Sequence, residues 1–180
     1  ITTIMPLPEN EREWENLYIM FTTEKGNVRK NKLSDFVDVR ANGKIAMKLQ
    51  DKDEIKTVET CTDDDDLLIT TLKGQCIRFR ASDVRLFVGR SSTGVRGIRL
   101  AQDDRVISSA IIKSMSATTE ERAAYLKMSR AVRGDIDSEN DENEENVENI
   151  TPAILSDEKY AEMGASEQFV LSISNNGYGK

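Results

Sequence analysis

Residues 88–100 read Val88-Gly89-Arg90-Ser91-Ser92-Thr93-Gly94-Val95-Arg96-Gly97-Ile98-Arg99-Leu100. Gly89 and Gly94 enclose four residues, as in a phosphate-binding P-loop, but Val95-Arg96 stands where that motif requires Lys followed by Ser or Thr. The stretch therefore argues against a nucleotide site. It predicts a turn that needs glycine backbone freedom, followed by a short strand that carries arginines.

The flanking sequence repeats one pattern at intervals of about fifty residues. Thr22-Thr23-Glu24-Lys25-Gly26 aligns with Thr70-Thr71-Leu72-Lys73-Gly74 at an offset of 48, and residues 43–49 align with residues 94–100 at an offset of 51. Each repeat holds about four short β-prone runs, which is typical of blades arranged around an axis. We predict an all-β, propeller-like fold. Its repeats cover about residues 1–53, 54–104 and 105–180.

The third repeat is interrupted by an insert at residues 114–167 and is truncated. Within the insert, Thr118-Thr119-Glu120-Glu121 is a capping box that predicts a helix, and residues 156–163 predict a second one. Residues 135–149 hold eight acidic and no basic side chains, which predicts a solvated, disordered segment. The repeat resumes at residues 168–174 and stops within a strand-turn pattern, so we expect a piece of a longer protein.

The formal net charge of −7 hides an uneven distribution. Residues 22–113 carry 18 Lys or Arg and 14 Asp or Glu, whereas residues 114–180 carry 6 and 14. The repeats are therefore basic, and the acidic excess lies at the ends. A basic scaffold of this kind favours a polyanionic partner.

Several functional classes are not expected from the composition. The sequence has no histidine, and Cys61 and Cys76 lack a CxxC spacing, so neither a zinc site nor histidine-based catalysis is predicted. The acidic turn at residues 63–66 is a weak metal candidate, because consecutive carboxylates point in different directions, and we expect an exposed loop. Without a signal peptide or a long apolar run, we expect no membrane and a reduced cytosolic setting.

Positive side chains recur at equivalent positions of the repeats, on strand faces, at hairpin turns and near strand ends. Lys30 and Lys32 correspond to Arg78 and Arg80, and alternation puts each pair on one strand face. A solvated strand face is often charged too, but the recurrence favours a curved row of cations for one polyanion. The predicted contact residues are Lys25, Lys30, Lys32, Lys48, Lys73, Arg78, Arg80, Arg90, Arg96 and Arg99.

The run from Gly89 to Leu100 closely resembles a signature of the C-terminal DNA-wrapping domain of DNA gyrase A subunits. The resemblance covers residues 1–113 and returns at about residues 150–180. It implies a β-pinwheel, a propeller-like disc whose neighbouring blades exchange strands, and it implies that the predicted cations contact double-stranded DNA. The family's Gln-Arg-Arg-Gly-Gly-Lys-Gly type box is absent and is expected upstream of Ile1.

The same resemblance implies a non-catalytic part of a type II topoisomerase. In the family, this domain wraps duplex DNA so that an A2B2 holoenzyme of gyrase A and gyrase B chains introduces negative supercoils using ATP. The catalytic tyrosine and the ATP and magnesium sites belong to other domains. We therefore expect no catalytic residue, cofactor or metal within this sequence, and a bacterial, cytoplasmic, nucleoid-associated location.

Two alternatives stay open. One is the related but degenerate disc of topoisomerase IV, which the upstream box would distinguish from gyrase. The other is a propeller-like protein-interaction module with the acidic insert as its partner site, which would lack the steep salt dependence of DNA binding. Residues 135–149 are either a solvated spacer or a DNA mimic that competes for the basic repeats.

Overall fold

A computed structural model of the chain describes residues 3–37, 42–133 and 155–179. The chain divides into two compact units, Ile1–Ser114, here called the sheet unit, and Met115–Lys180, here called the helical unit. Its strands are β1 (Tyr18–Thr23), β2 (Asn27–Lys32), β3 (Ile55–Cys61), β4 (Asp66–Thr71), β5 (Cys76–Arg80), β6 (Val95–Arg96) and β7 (Val106–Ile112). Its helices are α1 (Thr119–Arg133) and α2 (Asp157–Ala165).

The sheet unit contains two antiparallel sheets built on one plan. The strand order is β3-β1-β2-β6 in the first sheet and β5-β4-β7 in the second. The β1–β2 hairpin pairs Met20 with Lys30, and the β4–β5 hairpin pairs Leu68 with Arg78. Residues that lie 48 apart in the sequence therefore occupy equivalent strand positions in the two hairpins. The exact boundaries of the repeats stay predictions.

β6 follows β5 in the chain but lies in the first sheet. It pairs with β2, placing Arg96 opposite Asn27 and Val95 opposite Val28. One segment thus passes from the second sheet to the edge of the first. As a result, β2 has a strand on both edges, whereas β5 is an edge strand of its sheet in the described structure.

The main apolar core spans both sheets. It includes Met20 and Val28 from the first sheet and Leu67, Ile69 and Val106 from the second. Each of these side chains is at most 1% exposed, and burying one contributes about 1.5–3 kcal/mol. A second cluster contains Ile19, Phe21, Leu33 and Met47, with Trp14 packed against it.

Two predicted strands are not formed in the described structure. Residues 43–49 align with the β6 region but form no strand, and Ile45 is 77% exposed. Residues 168–174 contribute one isolated bridge, between Ile173 and Gly179. Strand structure requires a partner edge for its backbone groups, which a local sequence pattern does not supply. The acidic residues 135–149, predicted to be disordered, lie outside the described residues.

The helical unit confirms both predicted helices. At the start of α1, the Glu121 backbone N–H donates to Thr118 Oγ1 at 3.1 Å, and the Thr118 N–H donates to Glu121 Oε2 at 2.7 Å. This reciprocal pair is the predicted capping box. The α1 side chain of Tyr125 packs against Leu155 and Met163. No described helix has the length and apolar character needed to cross a bilayer.

Candidate nucleic-acid interface

The glycine loop, defined here as residues 89–94, lies directly on β2. Gly89 and Gly94 have φ values of 81° and 86°, which confirms the predicted need for glycine backbone freedom. A Cβ atom on Gly94 would overlap the carbonyl oxygen of Val28, and one on Gly97 would lie 2.6 Å from Val28 Cγ1. Glycine is therefore required both for the turn and for its close approach to the neighbouring strand.

Arg29 of β2 holds the glycine loop in place through hydrogen bonds. This side chain is fully buried, and its guanidinium donates to the carbonyl oxygens of Gly89 and Ser92. Its Nε donates to Asn31 Oδ1 at 2.7 Å, and its Cζ lies 4.9 Å from the centre of the Phe87 ring. Arg29 was not among the predicted site residues. The only sign of it in the sequence is that the equivalent position of the next repeat holds an apolar residue, Ile77, instead of an arginine.

The positive charge of Arg29 is not balanced by a neighbouring carboxylate. Within the described residues, its hydrogen-bond acceptors are carbonyl and hydroxyl oxygens and an amide oxygen. Burial, and then the charge of Arg90, lower the pKa of Arg29, but a guanidinium stays protonated in proteins. The Lys48 backbone N–H donates to the Ser92 carbonyl at 3.3 Å, which brings a third basic residue to the loop. The loop is thus a site of positive potential, suited to an anion.

We expected Lys30 to expose its charge on a strand face, but the structure buries it. Lys30 is 3% exposed, and its Nζ donates to Asp63 Oδ1 at 2.6 Å and to the Ala81 carbonyl at 2.8 Å. This bond lowers the pKa of Asp63. Lys30 is buried because its side chain reaches Asp63 and Ala81, which flank the β4–β5 hairpin of the second sheet, whereas its counterpart Arg78 is exposed. Lys32, two residues along, is exposed.

Arg78 and Arg80 are both exposed on β5, as predicted for one strand face, but they differ in pairing. Arg78 Nε and NH2 lie 2.7 and 2.6 Å from Asp66 Oδ2. Arg80 has no carboxylate within 4.0 Å in the described part of the chain. One arginine of the pair is therefore already neutralised, and the other retains its charge for a partner.

Lys25 and Lys73 occupy equivalent hairpin turns, and the backbone of each turn donates a hydrogen bond to an aspartate of a distant loop. The Lys25 backbone N–H donates to Asp53 Oδ1 at 3.0 Å, and the Lys73 N–H donates to Asp104 Oδ1 at 3.0 Å. Both ammonium groups also donate to a backbone carbonyl, that of Lys73 to Gln102 at 2.6 Å. These two lysines therefore have a structural role in addition to any contact with a partner.

Six of the ten predicted contact residues carry a charged group that is bound neither by a carboxylate nor, unlike Lys25 and Lys73, by a backbone carbonyl in the described structure. None of them has a carboxylate within 4.0 Å among residues 3–37, 42–133 and 155–179, and all except the half-buried Arg90 are exposed. Their contact with a nucleic acid stays a prediction. These six, here called the unpaired cations, are Lys32, Lys48, Arg80, Arg90, Arg96 and Arg99.

The acidic turn at residues 63–66 is exposed, as expected, at Asp63 and Asp64 but is buried at its other two residues. Asp65 is 3% exposed and Asp66 is 9% exposed. Asp65 Oδ2 accepts from the Thr62 backbone N–H at 2.7 Å and from Lys113 Nζ at 2.8 Å, and Asp66 forms the arginine pair described above. These acids are buried because cations on neighbouring strands compensate them. Within the described ranges, no group of three potential metal ligands is found.

Comparisons with known proteins agree with the fold and with the resemblance of the glycine-rich stretch. The family described as DNA gyrase C-terminal domain, beta-propeller, matches residues 17–62 and 65–113. The chain is 44% identical over 180 residues to the DNA gyrase A subunit of Rickettsia bellii and 42% identical over 189 residues to that of Granulibacter bethesdensis. Both matches cover 100% of the chain, which spans 19% and 20% of the two relatives.

A solved structure shows a related architecture. The crystal structure of the C-terminal domain of DNA topoisomerase IV matches 55% of this chain and 31% of that one, with a TM-score of 0.52 and 28% identity. Together with the family match, this likeness confirms the predicted all-β, β-pinwheel class with propeller-like blades.

Proposed function

The chain belongs to the DNA gyrase C-terminal domain family, and on that premise we propose that it binds and wraps duplex DNA. The observation that carries the proposal is the set of positive side chains of the sheet unit that have no carboxylate partner among the described residues. A buried guanidinium with no carboxylate partner among the described residues underlies the glycine loop, and the six unpaired cations lie on the same sheet unit. Such charges contact phosphates and position a duplex without reading its sequence.

The proposed larger role is support of ATP-dependent negative supercoiling. The relatives matched over the whole chain are named as the gyrase A chain, and this chain spans about a fifth of their length. We propose that it acts within an A2B2 assembly of gyrase A and gyrase B chains, in which strand cleavage and the use of ATP and magnesium belong to other domains. The chain itself supplies the phosphate-binding surface.

A substitution series tests DNA binding. The triple variant Lys32→Gln, Arg80→Gln, Arg99→Gln should bind a labelled duplex more weakly. The slope of log K against log salt should flatten by about 0.9 for each phosphate that is no longer bound, up to about 2.7. Arg78→Gln is the matched control, because Asp66 already compensates that arginine, and its effect should be smaller. An unchanged slope in the triple variant would remove these cations from the interface.

The likeness to the topoisomerase IV domain supports a second candidate function, a role as part of topoisomerase IV. A topoisomer assay with the full-length A chain and its B chain separates the two. If the protein acts in gyrase, the complete assembly should convert relaxed plasmid into negatively supercoiled plasmid. Deleting this domain should then abolish supercoiling. Relaxation without supercoiling by the complete assembly would favour topoisomerase IV.

A further inference from the structure

We propose that α1 of the helical unit is a second phosphate-binding surface, which adds contacts to the phosphate backbone of duplex DNA. The inference rests on the proposed function, because it presupposes that the chain binds DNA. It goes beyond that function because it assigns a DNA-contacting surface to the insert. The acidic composition of residues 114–180 predicts no such surface there.

The charge of α1 is divided along its length. Its first turn carries Glu120 and Glu121, whereas residues 122–133 contain four basic and no acidic side chains. At 3.6 residues per turn, Arg122, Leu126 and Arg130 form one strip of the helix, and Lys127 borders it. All four side chains are exposed. The insert thus has a cationic helix face despite its net negative charge.

The acids of the helical unit that the structure describes leave this face uncompensated. Glu121 is engaged in the capping box, and Glu167 pairs with Arg133 at 2.8 Å, at the end of the helix. In the described part of the chain, Arg122, Lys127 and Arg130 have no carboxylate within 4.0 Å. Three cations are therefore available for an anionic partner.

The spacing of these cations suits a duplex backbone. Arg122 and Arg130 are eight residues apart, which at 1.5 Å per residue is about 12 Å along the helix axis. One DNA strand presents a phosphate about every 3.4 Å along the duplex axis, so the face spans roughly three to four phosphates. Arginine forms bidentate bonds with phosphate oxygens. The apolar Leu126 beside them has no hydrogen-bonding group for a base edge.

A bilayer is a poorer partner for α1 than DNA. Binding to a membrane surface requires a free apolar helix face opposite the cations. Here Tyr125 is 7% exposed and packs against α2 and the preceding Leu155, and Ser129 is 8% exposed on the same side. Tyr125 and Ser129 are thus buried inside the helical unit, which leaves Met128, 38% exposed, and Val132, 78% exposed, as the exposed apolar side chains on that side of α1. Two such side chains are a small apolar face, so charge attraction to a polyanion is the favoured mode.

The test is a salt series of duplex binding by the full 180-residue chain. The variant Arg122→Gln, Lys127→Gln, Arg130→Gln retains good helix formers and should flatten the slope of log K against log salt by up to about 2.7. The control Arg122→Lys, Lys127→Arg, Arg130→Lys keeps the charge and should leave the slope unchanged. If the triple variant has reduced helix content by circular dichroism, Arg130→Gln alone should change the slope by about 0.9.

The outcomes separate this inference from the proposed function. A slope that responds to the sheet-unit variants but not to the α1 variants overturns the inference and leaves the proposed function standing. A wild-type chain that does not bind DNA overturns both. Weaker binding of the α1 variant to vesicles of phosphatidylglycerol, with unchanged binding to DNA, also overturns the inference.

Discussion

Arg29 and Lys30 are adjacent basic residues that are both buried, and they lie on opposite faces of β2. Lys30 has a carboxylate partner, Asp63, whereas Arg29 is held by uncharged oxygen acceptors. A buried charge is tolerated only when its hydrogen-bonding groups are satisfied. Arg29 therefore links the stability of the sheet unit to the conformation of the glycine loop.

Removing the Arg29 side chain should destabilise the sheet unit strongly. Arg29→Ala removes several charge-assisted hydrogen bonds to the glycine loop, leaving Gly89 and Ser92 only their weaker bonds from Asn31 and the Lys48 N–H, and it empties the space of a fully buried side chain. We therefore expect a loss of about 3 kcal/mol or more. Urea unfolding followed by the fluorescence of Trp14, the single tryptophan, reports on this unit alone. The control Arg80→Ala changes an exposed residue and should stay within about 0.5 kcal/mol. Equal destabilisation of the two variants would contradict the role assigned to Arg29.

Gly94 and Gly74 make a second matched pair at the scale of single residues. Both have positive φ, 86° and 82°, but an added Cβ meets the Val28 backbone at Gly94 and nothing within 4 Å at Gly74. Gly74→Ala should therefore cost only the left-handed strain, about 1–2 kcal/mol. Gly94→Ala should cost clearly more, measured by the same urea titration. A smaller destabilisation at Gly94 than at Gly74 would show that the close packing on β2 is unimportant.

The candidate site was only partly predictable from single residues. The glycines at 89 and 94 were identified because a turn has a local signature. The burial of Lys30 was not, because strand alternation indicates which side chains share a face but not whether another sheet covers it. The partners of Arg29 lie 60 and 63 residues away in sequence, so no local pattern points to them.

At the scale of elements, hairpins were easier to predict than sheets. β1, β2, β4 and β5 follow from β-prone runs joined by Lys-Gly turns, which are local signals. The passage of β6 to the edge of β2 depends on contacts between distant segments, and only the family resemblance implied it. The same reasoning explains residues 43–49, whose strand-like sequence has no edge to pair with in the described structure.

Glu59 on β3 provides a pH-dependent test of the contact between the two sheets. Its Oε2 is buried without a hydrogen-bond partner in the described structure, and burial raises the pKa of Glu59. Hydrogen bonds from the Ile111 backbone and the Ser109 side chain, both on β7, offset part of that shift. The native state therefore binds the Glu59 proton more tightly than the unfolded state does.

The sign of the effect follows from proton linkage. The stabilisation from this proton is fully present below the unfolded pKa, about 4.3 for Glu, and is lost as the pH rises through the higher folded pKa. Glu59→Gln removes the buried charge, so its stability relative to wild type should increase from pH 4 to pH 8, measured by urea midpoints. The exposed control Asp64→Asn should show little change. A difference between Glu59→Gln and wild type that does not vary with pH would contradict this account.

At the scale of the whole molecule, the distribution of charge matters more than its sum. A net charge of −7 would argue against nucleic acid if the charge were evenly spread. The sheet unit instead concentrates its unpaired cations, and many of its acids are engaged in turns and ion pairs. Counterion release depends on the local contacts made with phosphates, so an acidic protein can still bind DNA.

The central claim, that the chain binds duplex DNA through phosphate contacts, is tested most directly by a salt titration on two unrelated sequences. Fluorescence anisotropy of the 180-residue chain with two duplexes of equal length, between 50 and 200 mM salt, gives log K against log salt. We predict straight lines of equal slope for the two duplexes, reaching about −5 if all six unpaired cations make contacts and about −8 if the three cations of α1 contribute as well. Binding that does not change with salt, or that occurs with only one of the two sequences, would contradict the account.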